Sequence, residues 1–207
     1  MMSTLTPQFI SFEGTEGVGK TTLIQGVAEH LRKAGIDFIQ TREPGGSPFA
    51  EKLRELLLDP NVTMVEESEL LLMFSARADH LANTILPALA NNQWVLCDRF
   101  IDSSLAYQGF GRKHGDPSEL AKVQQLIDSF VPRLPDTTIW LDLPVIEGMN
   151  RAKSRGKLDR FEQEQVAFFE RVYQGLAYCH DRYPQRVKRI DASGSVEDVL
   201  QRVLTVI

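Results

Sequence analysis

Short apolar runs alternate along the chain with longer segments in which apolar residues recur every three or four positions. The short runs are typical of β-strands, and the longer segments are typical of amphipathic helices. The predicted strands are 9–12, 36–41, 94–97, 138–143 and 187–190. The predicted helices are 22–34, 48–58, 67–86, 118–131, 145–155, 161–178 and 195–206. Because strands alternate with helices and most strands are continuously apolar, the pattern predicts an α/β fold with a five-stranded parallel sheet covered by helices on both faces.

Local stop signals support several of these boundaries. Gly35 follows the first helix, and Pro87 interrupts the pattern of the long helix 67–86. Ser195 and Asp198 have the spacing of a capping box at the start of the last helix. No repeat or low-complexity linker divides the sequence, so we expect a single domain over residues 1–207.

Composition narrows the class of protein. Of the 207 residues, 43% are hydrophobic and 25% are charged, which is ordinary for a globular protein with a core of its own. The net charge of −5 provides no basic field, so we expect no nucleic-acid partner, and local cations must hold any phosphate group. No apolar run resembles a signal peptide or could span a bilayer, so we expect no membrane partner. Cys97 and Cys179 lack the spacing of a metal site. We expect Cys97 in the core and a cytoplasmic location.

The most specific motif follows the first predicted strand. Residues 14–21 match the phosphate-binding pattern G-x-x-x-x-G-K-[ST] and lie between a strand and a helix, as the motif requires. The residues of this phosphate loop are Gly14, Thr15, Glu16, Gly17, Val18, Gly19, Lys20 and Thr21. Its glycines allow backbone N–H groups to surround phosphates, with Lys20 reaching the β- and γ-phosphates and the Thr21 hydroxyl binding Mg²⁺. The motif predicts a nucleoside triphosphate site; the alternative is a glycine-rich turn that matches by chance.

Other polar residues follow strands at the same predicted edge of the sheet, where ligands of parallel sheets bind. Asp98 and Arg99 come directly after the third strand. Arg99 could bind an acceptor phosphate through two N–H groups, while Asp98 orients it or acts near Mg²⁺. A surface ion pair at a strand end is the alternative. The turn 42–46 and the segment 191–194 fall at this edge as well.

Two helical segments carry candidate contacts to a base. Phe74 and Arg77 share a helix face, so the ring could stack on a base while the guanidinium donates to its carbonyl. The same pattern equally indicates a core stripe. The segment 103–112 mixes hydroxyls, an amide and aromatic rings. It could line a sugar or base pocket, or it could be a plain helix without a function.

A dense run of cations ends the predicted helix 145–155. Its basic residues are Arg151, Lys153, Arg155, Lys157 and Arg160. Such a run could form a lid, at about 150–161, whose arginines close over the transferring phosphoryl group. The alternative is a solvated helix end whose cations compensate the helix dipole.

Together these segments resemble the bacterial thymidylate kinase family, in the same order and over nearly the whole chain. The matching phrases are Phe-Glu-Gly at 12–14, Thr-Arg-Glu-Pro-Gly-Gly at 41–46, Met-Phe-Ser-Ala-Arg-Ala at 73–78, Asp-Arg-Phe at 98–100, Ala-Tyr-Gln-Gly at 106–109, Leu-Asp-Arg-Phe-Glu at 158–162 and Ile-Asp-Ala-Ser at 190–193. The phrase at 41–46, joined to the phosphate loop, is the most specific. The resemblance implies a P-loop fold that transfers the γ-phosphoryl group of ATP to dTMP with Mg²⁺. It also implies a homodimer, with 67–86 as a candidate interface.

The resemblance further implies roles for individual residues. Phe74 resembles the residue that stacks on thymine, Arg77 the one that bonds its exocyclic oxygen, and Arg99 the ligand of the dTMP phosphate. The remaining substrate-side residues are Ser104 and Gln108 at the base, Tyr107 at the 2′ position, Glu16 near the 3′-hydroxyl, and Arg42 and Pro44 in the turn 42–46. On the ATP side, Asp191, Ala192 and Ser193 resemble the adenine loop.

Family members differ in where the transition-state arginine lies. In one subclass the phosphate loop carries it, and in the other the lid supplies it. Residues 15–18 contain no arginine, whereas the lid contains Arg151 and Arg155, so the chain resembles the lid-arginine type. The resemblance implies Arg155 as the main transition-state residue, assisted by Arg151 and Lys153. The implied catalytic residues are Lys20, Arg99, Arg151 and Arg155, and the implied metal ligands are Thr21 and Asp98.

Two other functions are compatible with a phosphate loop. A GTP-dependent switch would need an N-K-x-D guanine motif, which the sequence lacks. A kinase acting on a different nucleotide, or on a free nucleoside, would keep the loop but change the acceptor pocket. An arginine directed at a phosphate favours a monophosphate acceptor over a nucleoside.

Overall fold

The computed structural model describes residues 8–153 and 159–207, and only the backbone of residues 152 and 153. Its strands are β1 Phe9–Glu13, β2 Phe38–Arg42, β3 Trp94–Asp98, β4 Thr137–Asp142 and β5 Val187–Asp191. They form one sheet in the order β2-β3-β1-β4-β5, and every pairing is parallel. The α/β fold and its five-stranded parallel sheet are therefore confirmed.

Helical segments connect the strands. The α-helices are α1 Lys20–Lys33, α2 Pro48–Leu58, α3 Glu66–His80, α4 Leu86–Ala90, α5 Ile101–Ser104, α6 Pro117–Phe130, α7 Val145–Lys153, α8 Val166–Arg182 and α9 Val196–Leu204, and the π-helical segments are Leu81–Ile85 and Leu105–Arg112. The predicted capping box is present at the start of α9, where Ser195 and Asp198 bond each other's backbone N–H groups. Within the described ranges, no helix is long and apolar enough to cross a bilayer.

The sheet separates two hydrophobic clusters, and the alternation of side chains along β3 makes this visible. Val95 and Cys97 belong to the cluster that also contains residues of α3, α6 and α8. Trp94 and Leu96 belong to the cluster that contains residues of α1 and α9. A strand with apolar side chains on both faces reads as a continuous apolar run, which explains the sequence pattern.

The long helix predicted over 67–86 has a different internal structure. The α-helical part ends at His80, a π-helical turn follows, and α4 extends the helix to Ala90. Pro87 has no N–H group to donate to the carbonyl of Asn83, and the wider turn directly before it accommodates that loss. The predicted interruption near Pro87 is confirmed, but the helical path continues beyond it.

The helix predicted over 161–178 begins later than the pattern indicates, because residues 159–163 form a separate turn. The Asp159 carboxylate accepts the N–H groups of Phe161 and Glu162, both at 2.9 Å. Arg160 ties this turn to α2 through its Nε, which donates to the carbonyl of Leu57 at 2.8 Å. An aspartate side chain that accepts N–H groups two and three residues ahead stabilises a turn. This turn occupies the first residues of the predicted helix, and α8 begins after it.

The sheet order places the phosphate loop beside the segment that follows β3. Phe12 in β1 pairs with Asp98 in β3, and the N–H of Arg99 donates to the carbonyl of Phe12 at 2.9 Å. The carboxyl ends of these two neighbouring strands therefore deliver Gly14 and Arg99 to the same edge of the sheet.

Candidate active site

The phosphate loop connects β1 to α1 through glycines in left-handed backbone conformations. Gly17 has φ 74° and Gly19 has φ 94°, values that residues with a Cβ rarely adopt. Gly17 also lies against α7, since a Cβ built on it would come within 1.9 Å of the carbonyl oxygen of Gly148. The reverse contact is equally close: a Cβ on Gly148 would lie 2.3 Å from the carbonyl oxygen of Glu16. Two glycines thus allow the loop and α7 to touch backbone to backbone.

Two cations converge on one carbonyl oxygen of this loop. Lys20 Nζ donates to the carbonyl of Gly14 at 3.3 Å, and Arg99 Nη1 donates to the same oxygen at 2.9 Å. Lys20 is buried, and the side chain of Arg99 is only 16% exposed. Both line one cavity at the carboxyl edge of the sheet. The site therefore places two basic side chains where the first strand delivers the phosphate loop.

Arg99 occupies a backbone conformation that costs energy and is held there by its neighbours. Its φ is 67°, in the left-handed region that is unfavourable for residues other than glycine. The buried carboxylate of Glu13 accepts the N–H groups of Phe100 at 2.9 Å and Ser103 at 3.2 Å, and the Ser103 hydroxyl at 2.6 Å. These bonds fix the backbone after Arg99 against the end of β1. Burial raises the pKa of Glu13 from 4.5 to about 7.

The charges around Arg99 are strongly coupled. Arg99 Nη2 bonds Glu16 Oε1 at 2.6 Å, and the Tyr107 hydroxyl donates to the same oxygen at 3.1 Å. Burial opposes ionisation of Glu16, but the positive charges of Arg99 and Lys20 lower its pKa. For Lys20, burial and the nearby Arg99 charge lower the pKa, against the opposing effect of Glu16 and Asp98. The Arg99 guanidinium also lies over the Tyr107 ring, with its carbon 4.9 Å from the centroid. Glu16 therefore balances these cations together with Glu13 and Asp98, and it makes the shortest contact with Arg99.

A second guanidinium is fixed deeper in the cavity. Arg77 is 3% exposed. Its Nε donates to Glu43 at 2.7 Å, its Nη1 to the Ser104 hydroxyl at 2.9 Å, and its Nη2 to the carbonyl of Phe100 at 3.1 Å. Glu43 is also within 3.0 Å of His80 Nδ1. Because a guanidinium has five N–H donors, Arg77 keeps two that can point at a ligand.

Phe74 is less accessible than its expected role requires. Its ring is 4% exposed and belongs to a hydrophobic core cluster. The Arg77 guanidinium lies over it, 4.9 Å from the centroid. The cavity is lined at this point by Met73 and Arg77 instead. The core reading of this helix face thus holds for Phe74, and its stacking on a base stays a prediction.

Asp98 and Thr21 fit a cation. Oδ1 of Asp98 is buried and accepts no hydrogen bond from residues 8–153 or 159–207. Asp98 and Thr21 line the same cavity, and both carry the oxygen ligands that Mg²⁺ prefers. In the described part of the chain, no cluster of three or more His, Cys, Asp or Glu residues could hold a metal alone. An ion at Asp98 and Thr21 would therefore depend on phosphate and water oxygens for its remaining ligands.

The structure brings most of the predicted site residues to this cavity. Those that line it are Glu16, Gly17, Val18, Gly19, Lys20, Thr21, Arg42, Pro44, Arg77, Asp98, Arg99, Ser104, Tyr107 and Gln108. Gly14 bonds Lys20 and Arg99 through its carbonyl, and Thr15 is buried beside it.

Other predicted residues lie elsewhere. Asp191 ends β5, and Ala192 and Ser193 follow it, all three outside this cavity. Arg202 donates to the carbonyls of Asp191 and Ser193, each at 2.7 Å. Arg151 lies on α7 and pairs with Glu147. Arg155 lies outside the described residues, and so do the side chain of Lys153 and most of the predicted lid.

Several residues that shape the site were missed from the sequence. Glu13, Glu43 and Glu69 are buried acids that hold arginines or loop backbone, and Gly148 permits the contact between α7 and the phosphate loop. Glu13 and Glu43 each lie inside a phrase already singled out, at 12–14 and 41–46. Each of these two acids follows closely on a predicted strand, and that position was the signal that could have identified them as part of the site. Nothing in the local sequence marks Glu69 or Gly148.

Comparisons with known proteins agree with this geometry. A family model described as thymidylate kinase matches residues 12–203. A thymidylate kinase from Psychrobacter sp. is 60% identical over 95% of this chain and 94% of its own length. One from Acinetobacter baylyi is 52% identical over 95% of this chain and 96% of its own. The crystal structure of thymidylate kinase from Ehrlichia chaffeensis superposes with a TM-score of 0.78 at 32% identity, covering 98% of both chains. This chain belongs to the thymidylate kinase family.

Proposed function

We propose that the cavity beside the phosphate loop binds dTMP with its phosphate facing Lys20 and Arg99, and that the γ-phosphoryl group of ATP is transferred to it. As a member of the thymidylate kinase family, the chain phosphorylates dTMP. The products are dTDP and ADP, which places the reaction in the synthesis of dTTP. The roles of individual residues in this reaction are our assignment.

The shared contact of Lys20 and Arg99 with the Gly14 carbonyl carries the proposal. Lys20 belongs to the phosphate loop and is suited to the ATP phosphates, whereas Arg99 follows the neighbouring strand and faces the cavity lined by Tyr107 and Gln108. Two anions held by these cations would meet end to end at the edge of the sheet. This is the arrangement that in-line phosphoryl transfer requires.

The chemistry needs little beyond positioning and charge neutralisation. The acceptor is a phosphate oxygen that is already anionic, so no strong general base is required. Lys20 stabilises the charge of the transferring group, and Arg99 orients the acceptor phosphate. When dTMP arrives, its phosphate competes with Glu16 for Arg99, and Glu16 is then released toward the sugar, where the sequence resemblance assigns it to the 3′-hydroxyl.

We assign the metal of the reaction as Mg²⁺, held by the Thr21 hydroxyl and the Asp98 carboxylate. The unpaired, buried Oδ1 of Asp98 supports this assignment. When bound, the ion neutralises charge on the ATP phosphates. Lys20 and Arg99 supply the protein's own positive charge on either side of the transferred group.

The acceptor base is assigned to the deeper part of the cavity. Arg77 has two N–H groups for the exocyclic oxygen of thymine, and Ser104 and Gln108 line the same region. Tyr107 fills the space beside Arg99, where it disfavours a 2′-hydroxyl. Arg42 and Pro44 complete the wall of this pocket. The Phe74 ring packs against the Arg77 guanidinium, and we assign it to stack on the base when dTMP binds.

Two further assignments rest on the sequence resemblance, and a third rests on the lack of a repeat or linker in the sequence. Residues 191–193 bind on the adenine side of ATP. The lid at about 150–161 closes over the phosphates, with Arg155 as the main transition-state group and Arg151 assisting. Residues 1–207 act as one domain.

We infer a homodimer that forms through α3. Leu71 lies on the helix predicted as the interface and is 58% exposed, and Val65, directly before α3, is 65% exposed. Sedimentation equilibrium of the wild type and of Leu71→Glu tests this: the variant should be monomeric. Both cysteines are buried and unpaired, in keeping with the cytoplasmic location that we infer.

The decisive assay for the function couples ADP release to NADH oxidation across a panel of nucleoside monophosphates. We expect turnover with dTMP, less with dUMP, and little with CMP or AMP. Equal turnover of AMP would overturn the assignment of the base pocket. Turnover of free thymidine would overturn the role of Arg99.

A further inference from the structure

A buried carboxylate on α3 fixes the side chain of Gln108. Glu69 is 1% exposed and Gln108 is 5% exposed. The amide nitrogen Nε2 of Gln108 donates to Glu69 Oε1 at 2.9 Å. This contact joins α3 to the π-helical segment that lines the cavity, although the two residues are far apart in sequence.

Glu69 is itself held by two guanidinium groups. Arg112 Nη2 lies 3.2 Å and Arg160 Nη1 lies 2.8 Å from Glu69 Oε2. A carboxylate paired in this way can only accept hydrogen bonds. Glu69 therefore leaves the neighbouring amide no choice of orientation, because an amide oxygen turned toward it would be repelled.

The orientation of Gln108 determines what it offers to a ligand. With Nε2 bonded to Glu69, the carbonyl oxygen Oε1 is the atom left for the cavity that Gln108 lines. No residue in the described part of the chain donates a hydrogen bond to that oxygen. Gln108 thus presents an acceptor, and Arg77 presents donors from the same wall.

This pair of groups matches one kind of pyrimidine edge. Thymine has a carbonyl oxygen at position 4 and an N–H donor at position 3, whereas cytosine has an amino donor at position 4 and an acceptor at position 3. We propose that Glu69 is a positioning residue that sets base specificity, because it locks the Gln108 amide with its oxygen toward the base. The inference rests on the proposed function, since it requires dTMP to occupy this cavity.

Glu69→Gln tests the inference, because a neutral amide at position 69 can donate as well as accept. The Gln108 amide is then free to rotate and exchange the positions of its oxygen and nitrogen. The substrates to compare are dTMP and 5-methyl-dCMP, which share the methyl group and differ in the hydrogen-bonding edge. We expect the ratio of kcat/KM for dTMP over 5-methyl-dCMP to fall about tenfold, the size expected when one hydrogen bond is exchanged for another. The change should lie mainly in KM, because the base contact is made before and during the reaction.

Glu164→Gln is the matched control. Glu164 also pairs with Arg112, but it is not the carboxylate to which Gln108 donates, which is Glu69. This variant removes the same charge from the same arginine and should keep the wild-type ratio. An unchanged ratio in Glu69→Gln, or an equal fall in Glu164→Gln, would overturn the inference. If the wild type itself does not phosphorylate dTMP, the proposed function is overturned instead.

A measurement on the wild type keeps the inference testable if Glu69→Gln does not fold. In protein labelled with ¹³C and ¹⁵N at glutamine, the Gln108 signals are identified by their loss in Gln108→Met. Adding dTMP should shift the side-chain carbonyl carbon of Gln108 and leave its amide protons protected from exchange. A shift confined to the amide nitrogen and its protons would show that the donor faces the base, and would overturn the inference.

Discussion

Arg77 and Arg42 line the same cavity, and each pairs with a glutamate at nearly the same distance, but their surroundings differ. Arg77 bonds Glu43 at 2.7 Å and is 3% exposed, whereas Arg42 bonds Glu51 at 2.9 Å and is 53% exposed. An exposed pair gains little because water and salt screen it. A buried pair is strongly interdependent, because removing one partner leaves the other charge without compensation.

The same contrast separates the two halves of the site. On the side assigned to the base, Arg77 and Gln108 are buried and already bound to acidic partners before any ligand arrives. On the side assigned to ATP, Thr21 at the end of the phosphate loop and Asp191 outside this cavity are exposed. A pocket that must distinguish one base benefits from fixed donors and acceptors, because preorganised groups lose little freedom on binding. The exposed residues can adapt to a nucleotide that is recognised mainly by its phosphates.

The largest expected effect is on stability when the buried pair is broken. Glu43→Ala should lower the free energy of unfolding by about 3–5 kcal/mol, because it strands the Arg77 guanidinium and removes the partner of His80. Urea denaturation measures this value. Glu51→Ala, which breaks the exposed pair with Arg42, should cost less than about 1 kcal/mol. Equal costs for the two variants would contradict the comparison.

The second-largest effect is expected on catalysis, when the cation that we assign to the acceptor phosphate is removed. Arg99→Ala should raise the activation barrier for dTMP phosphorylation by roughly 3 kcal/mol, which lowers kcat/KM by about a hundredfold or more. Steady-state kinetics with dTMP as the varied substrate provide the test. Arg99→Lys keeps the charge but not the two-pronged contact, and should recover only part of the loss. Wild-type kinetics in Arg99→Ala would remove this residue from the site.

Glu13 should make stability depend on pH. Burial raises the pKa of Glu13 from 4.5 to about 7 in the folded chain, so the folded state keeps a proton that the unfolded state releases between these values. The contribution of Glu13 to stability is therefore greatest below pH 4.5 and falls as the pH rises to 7, by about 3 kcal/mol in total.

Glu13→Gln removes this titration and should flatten that part of the profile. The comparison is the free energy of unfolding of wild type minus variant at several pH values from 4.5 to 8. If the difference is independent of pH, Glu13 does not carry the buried proton.

A smaller effect is expected where α7 meets the phosphate loop. A Cβ at position 148 would lie 2.3 Å from the carbonyl oxygen of Glu16, and that oxygen belongs to backbone that cannot move freely. Gly148→Ala should displace the loop and raise KM for ATP roughly tenfold, in line with the 1–3 kcal/mol typical of overpacking. Gly26→Ala in α1 is the control, since the three atoms nearest to its Cβ all belong to the flexible side chain of Leu200. Equal KM values for ATP in the two variants would show that the contact between α7 and the phosphate loop does not affect ATP binding.

Most of the fold could be predicted from the sequence, because apolar runs and glycine or proline stops are local signals. β3 was predicted from its apolar run, and α2 was predicted with both ends correct. The π-helical turn before Pro87 and the separate turn at Asp159 could not be placed, since each depends on which backbone groups find partners. The phosphate loop and Arg99 were found because a motif or a strand end marks them.

The residues that hold the site together were harder to find for a physical reason. Glu69 and Gln108 are brought together by packing between α3 and the second π-helical segment, and a contact over that sequence distance leaves no local pattern. Phe74 illustrates the opposite case: its pattern was compatible with the core and with the base, and its burial at 4% exposure agrees with the core.

The central claim is that two nucleotides meet end to end between Lys20 and Arg99. Isothermal titration calorimetry with adenosine and deoxythymidine joined 5′ to 5′ by a polyphosphate chain tests it most directly. The account predicts that this compound binds the wild type on the order of a hundredfold more tightly than ATP or dTMP alone, and that Lys20→Ala and Arg99→Ala each abolish the gain. Binding no tighter than that of ATP alone would contradict a shared site for the two phosphates.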